Sequence, residues 1–162
     1  MSRPHVVTHS RTFAVAVDEA YRIVAPMPLP DLFVRGFLAI PAIREVRDQT
    51  GPEWGTEPGH SRDLVMADGG TVREELVSVD PPHSFAYELS EITGAMKPLV
   101  TEVNGEWRFV PEGTGTRITW TWRLHPRSAL TALVLPVIGL MWQGFARHAF
   151  DRLAVILGPL PR

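Results

Sequence analysis

Apolar and polar residues alternate at the start of the chain. Val7, His9, Arg11, Phe13, Val15 and Val17 share one parity, which predicts a strand over Val6–Val17. Asp18 then offers an N-cap and Glu19 a negative charge in the first turn, so Ala20, Tyr21, Ile23 and Val24 are expected in a short helix. Pro26, Pro28 and Pro30 stop it, and Asp31–Ile40 is expected as a second short helix ended by Pro41. Strand periodicity follows in Ile43–Gln49, His60–Ala67, Thr71–Val79, Phe85–Glu91, Val100–Val110 and Arg117–Leu124. The breaks between them carry turn residues, among them Asp68-Gly69-Gly70, Asp80-Pro81-Pro82 and Gly113-Thr114-Gly115. With the first strand this makes seven, and short turns join antiparallel neighbours into a meander.

The period then changes. Ile138, Trp142, Phe145, Ala149, Leu153 and Ile156 recur at helical spacing, opposite a stripe of Gln143, Arg147 and Asp151. A long helix is expected over roughly Ser128 to Leu157. Its second half is amphipathic. Its first half is apolar on nearly all sides and carries Pro136, which should bend the helix or break it. The surplus apolar face over Leu130–Met141 could meet a second copy in a homodimer or a membrane surface. The expected class is α+β, one domain over 1–162, with the helix packed on a curved antiparallel sheet.

Parity also says which face of that sheet is dry. Val103, Trp107 and Phe109 share one face, and Ile118, Trp120, Trp122 and Leu124 face the same way on the next strand. Glu102, Asn104, Glu106, Arg108, Thr119, Thr121 and Arg123 take the other side, as in a sheet covered on one face only. Bulky rings of this kind fill a core, and they also line pockets. In Thr71–Val79, Val72, Leu76 and Ser78 share parity with Glu74. If that face is inward, Glu74 points into an apolar chamber, where burial raises its pKa unless a cation or a wet mouth relieves it. Such a carboxylate is a functional candidate.

Composition narrows the function. Apolar residues make up 44% and charged residues 21% of 162, a globular balance. A net charge of −2 with no run of Lys or Arg argues against a nucleic-acid partner. There is no cysteine and no signal-peptide-like apolar core after Met1, so a cytoplasmic location is expected. The longest apolar stretch, about Leu130 to Trp142, falls short of the roughly 18–20 residues that span a bilayer. His5, His9, His60, His83, His125 and His148 lack ligand spacing, and no phosphate loop, dinucleotide fingerprint or Gly-x-Ser-x-Gly is present, so neither metal nor cofactor is expected.

The order of these features resembles a known family. A strand leads into Val17-Asp18-Glu19-Ala20-Tyr21-Arg22-Ile23-Val24, then come Glu74-Glu75-Leu76-Val77-Ser78-Val79-Asp80-Pro81-Pro82 with Phe85-Ala86-Tyr87, Gly115-Thr116-Arg117-Ile118-Thr119-Trp120, and the long terminal helix. The chain is similar, over nearly its whole length, to the START-like (SRPBCC, Bet v 1-like) superfamily, in particular its bacterial polyketide cyclase/dehydrase and lipid-transport branch. The resemblance implies a helix-grip fold, a seven-stranded sheet wrapped around the C-terminal helix, with a cavity between them for lipids, polyketides or other hydrophobic ligands. Glu74 matches a glutamate that faces the ligand in the similar plant abscisic-acid receptors, and Tyr87 and Leu89 fall near pocket positions there; the gate loops of those receptors have no counterpart here. The expected ligand wall is Leu76, Tyr87, Leu89, Trp107, Phe109, Trp120, Trp122, Met141 and Phe145, with Glu74 meeting a polar group on the ligand. An aromatase/cyclase reaction with Glu74 and Tyr87 as acid and base is the alternative.

Overall fold

The computed structural model describes residues 3–158. Strand β1 (His5–Phe13) is followed by helices α1 (Val17–Val24) and α2 (Leu29–Leu32). Six strands come next: β2 (Ile43–Arg47), β3 (Ser61–Met66), β4 (Thr71–Asp80), β5 (Ser84–Ser90), β6 (Val100–Glu112) and β7 (Gly115–Pro126). Helices α3 (Ala129–Ala132) and α4 (Leu135–Leu157) complete the order. The seven strands form one sheet in the order β1-β7-β6-β5-β4-β3-β2, antiparallel throughout. The chain starts beside the place where β7 will lie, crosses through α1 and α2 to the far edge, and returns strand by strand. Helix α4 lies across the concave face against β1 and β7 and touches α2. This is the helix-grip architecture.

The core follows the predicted parity of the β6–β7 hairpin. Val103, Trp107, Phe109, Ile118, Trp120 and Leu124 are buried, and α4 meets them with Trp142, Phe145, Ala149 and Leu153. Trp120 is the hub, stacked on Trp107 with centroids 5.1 Å apart and tilted against Trp142 at 4.8 Å. Each of the larger side chains among these contributes about 1.5–3 kcal/mol by leaving water, which is ample to hold helix to sheet.

Several boundaries differ from expectation, each for a local reason. Strand β1 ends at Phe13 because β7 offers no partner beyond Thr116. Helix α1 therefore starts at Val17, with Ala16 as the uncapped N-cap, and Asp18 sits in the first turn as a dipole partner. The second helix does not reach Ile40. After one turn at Leu29–Leu32 the chain makes a tight loop in which Phe37 and Ile40 exchange backbone hydrogen bonds of 2.8 and 3.0 Å. Leu38 takes a positive φ of 52° in that loop. A register shift between Leu76 and Ser78 turns Ser78 to solvent and half-buries Val79, so Ser78 does not share the inward face. The C-terminal helix is broken rather than bent. Ser128 and Thr131 form a capping box over α3, and Pro136 opens α4, where its missing N–H costs no helical bond.

The first part of the predicted long helix keeps an uncovered stripe. Leu130, Leu133 and Leu140 are 74%, 77% and 73% exposed, with Val137 beside them. Among the described residues no helix is long and apolar enough to cross a membrane.

Candidate functional site

The sheet and α4 do not meet everywhere. Between them, under α2 and the loop to Ile43, lies a cavity of about 90 Å³. Its walls are apolar almost throughout, with Phe33 and Leu64 facing Leu89 and the rings of Trp107, Trp120, Trp122 and Phe145. Three polar side chains interrupt them deep in the wall: Arg62, Glu74 and Tyr87.

Register builds the first two into a pair. Arg62 on β3 is the direct cross-strand partner of Glu74 on β4, and both point inward. Each is only 3% exposed. Arg62 Nε donates to Glu74 Oε1 at 2.5 Å, and its guanidinium lies 3.8 Å from the ring centroid of the buried Trp54. An ion pair out of water loses solvation on both sides, and close contact with a cation–π partner offsets part of that loss. Burial pushes the Glu74 carboxyl above the usual carboxylate range, and the Arg62 charge and hydrogen bond pull it back without cancelling the effect. Glu74 Oε2 has no protein partner among the described residues, and its side chain lines the cavity.

Tyr87 is placed by an absence. Its neighbour on β6 is Gly105, and a Cβ there would stand 2.1 Å from Tyr87 Cζ. The missing side chain lets the phenol ring lie across β6 and reach β7. There Tyr87 Oη accepts from Trp120 Nε1 at 2.8 Å and from Trp122 Nε1 at 2.9 Å. Burial first, and the Glu74 charge second, push the phenol pKa well up, while the indole bonds oppose the shift. The group is a neutral phenol across the ordinary pH range.

Of the residues expected to form the ligand wall, Glu74, Tyr87, Leu89, Trp107, Trp120, Trp122 and Phe145 line the cavity. Leu76, Phe109 and Met141 do not. Leu76 is fully buried in solid packing. Phe109 packs against Tyr21 of α1 at 5.3 Å, because α1 plugs that end of the concave face. Met141 is half-buried and packs on the core from outside the cavity wall. Arg62 and the α2 residues Leu29 and Leu32 line the cavity and were not foreseen. Arg62 was within reach of the sequence: counting outward in equal steps from the Asp68-Gly69-Gly70 turn brings it opposite Glu74. The histidines stay apart, and no group of three His, Cys, Asp or Glu side chains among the described residues is placed to hold a metal ion.

Comparison with known proteins agrees with this architecture. Truncated norcoclaurine synthase from Thalictrum flavum superposes with a TM-score of 0.69 at 18% identity, covering 95% of this chain and 93% of that one. Major latex-like protein 151 from Panax ginseng gives 0.67 at 13% identity, covering 98% and 100%. Protein Ms6760 from Mycobacterium smegmatis gives 0.61 at 18% identity, covering 97% and 93%. At these identities the likeness speaks for the fold. No curated protein matches the sequence. The family model described as polyketide cyclase / dehydrase and lipid transport matches residues 4–158, nearly the whole of the helix-grip fold, and the chain belongs to that family.

Proposed function

We propose that this protein binds, and carries, a hydrophobic small molecule such as a lipid or a polyketide in the cavity between the sheet and α4. The observation that carries the reading is a mismatch within the cavity. Its walls are apolar, yet a carboxylate oxygen of Glu74 and the phenol proton of Tyr87 have no protein partner there. A core built only for stability has no use for such groups, which cost free energy when buried and unpaired. A ligand with an apolar body and a polar end would satisfy both. A molecule of lipid or polyketide size needs more room than the cavity offers at rest, so its rim must yield. Ala95 and Met96 from the β5–β6 loop and Asp68 from the β3–β4 turn stand at that rim. The test is solvent extraction and mass spectrometry of the purified protein, with titration against a lipid and polyketide panel. A co-purified apolar molecule, or saturable binding that competes with a cavity dye, is expected; neither being found would overturn the reading.

Catalysis by the same site is a second reading, favoured by the closeness of a raised-pKa carboxyl to a neutral phenol in one dry chamber. Glu74 would take a proton next to a carbonyl and Tyr87 would support the oxygen. Glu74→Gln should then abolish cyclisation while sparing binding, and unchanged turnover would remove Glu74 from the chemistry. The uncovered stripe at Leu130, Leu133 and Leu140 supports a separate contact with a second copy or a membrane surface. A monomer in light scattering together with no binding to liposomes would reject it.

A further inference from the structure

We infer that Tyr87 is a fixed hydrogen-bond donor for an uncharged carbonyl oxygen, so that the ligand is a flat, neutral, carbonyl-bearing molecule. The inference rests on the binding reading above and specifies the polar end of the ligand.

A phenol oxygen accepts from up to two donors and donates one proton. The indole N–H groups of Trp120 and Trp122 fill both accepting positions of Tyr87 Oη, and the Trp107 indole is a weaker third neighbour that makes no hydrogen bond of normal geometry to it. The phenol proton is therefore directed away from both indoles, and among the described residues it meets no acceptor. Tyr87 lines the cavity and is 5% exposed, so neither solvent nor neighbouring backbone offers an easy substitute. Accepting two hydrogen bonds also draws charge from the oxygen and strengthens the remaining O–H as a donor.

The arrangement is rigid. The Trp120 ring is held between Trp107 and Trp142, Trp122 packs edge-on against Trp120 at 5.5 Å, and Gly105 keeps the phenol's path clear. Trp120 and Trp122 act as positioning residues.

Charge selects the partner. Among the described residues Arg62 is the only buried cation in the cavity wall; it is engaged by Glu74, whose side chain lines the same space. An anionic ligand would meet repulsion from Glu74 and no free counter-charge. A neutral carbonyl takes the donor that Tyr87 presents and brings no charge against Glu74. The large rings of Trp107, Trp120, Trp122 and Phe145 favour a planar body beside it.

Acetylnaphthalene and ethylnaphthalene, matched in shape and differing in the carbonyl, make the test. In the wild-type protein the ketone should bind about two- to tenfold more tightly than the hydrocarbon, the span expected of one net hydrogen bond. Its bound carbonyl stretch should fall below the value in an alkane solvent. Tyr87→Phe should reverse the preference and return the stretch to the alkane value. Trp122→Phe, which keeps the phenol and removes one of its two donors, should shift the stretch part of the way toward the alkane value, a change that altered wall packing alone would not produce. If the hydrocarbon binds and the ketone gains nothing, or the stretch is unmoved by both substitutions, the donor assignment falls and the pocket reading stands. If neither probe binds, both fall together.

Discussion

Replacing Gly105 with alanine should be far more harmful than one methyl group suggests. The added Cβ would lie 2.1 Å from Tyr87 Cζ and 2.4 Å from Oη, well inside any real contact. The strand cannot retreat, because β6 is paired on both sides, so the phenol must swing off its seat. That breaks the bonds to Trp120 and Trp122, about 1 kcal/mol each. It also forces a ring into a filled core, about 1–3 kcal/mol. Alanine gives back about 0.5–1 kcal/mol over glycine in a strand interior. The net cost is about 3 kcal/mol, read by urea unfolding as a midpoint shift of about 1.5 M at a slope of about 2 kcal/mol/M. The control is the same change in a Tyr87→Ala background, where no ring is left to clash. There Gly105→Ala should be neutral or mildly stabilising, a coupling of about 3 kcal/mol. A cost below about 1 kcal/mol in the wild-type background, or an equal cost in both, would refute the claim that Gly105 exists to seat Tyr87.

Arg62→Leu alone should cost about 3–5 kcal/mol, because it strands the Glu74 carboxylate, whereas Arg62→Leu with Glu74→Leu should recover most of that loss in thermal unfolding. Pro136→Ala should change stability by less than about 0.5 kcal/mol, since the proline stands where a helix needs no N–H. Ser128→Ala should cost about 1 kcal/mol by opening the capping box of α3, checked by chemical denaturation. Burial lowers the pKa of His9, which stacks on Phe150 at 4.8 Å. A base with a lowered folded pKa stabilises fully above its unfolded value of 6.5, and that contribution is lost as pH falls through 6.5 toward the folded value. Stability measured from pH 8 to 5 should thus decline less in His9→Phe than in wild type.

Much of this molecule is legible in its sequence because strands announce themselves by a period of two and turns by their residues. The Asp68-Gly69-Gly70 turn sets the β3–β4 register, and that register alone makes the Arg62–Glu74 pair. The inward parity of Trp107, Trp120 and Glu74 needs no more than alternation. What alternation misses is a change of step. The shift after Leu76 reverses Ser78, and no residue type there marks it. The loop after α2 carries apolar residues at helix-like intervals, yet Phe37 and Ile40 close on each other instead. Nor can parity divide an inner face into cavity and solid core. Phe109 and Trp107 share a face, and only the seat of α1 decides that one touches packing and the other space.

The pairing of β1 with β7 has a consequence for assembly. Strands β2 to β7 each pair with the next in sequence, so they can zip together through comparatively local steps. His5 meets Leu124, by contrast, across most of the chain, and α4 follows later still. Such closure is slow, because a long loop must be ordered before any contact rewards it. Until β1 and α4 arrive, the aromatic inner face of β6 and β7 stands open to water. The chamber is therefore the last part of the fold to come into being, and no ligand can be enclosed by a partly made chain.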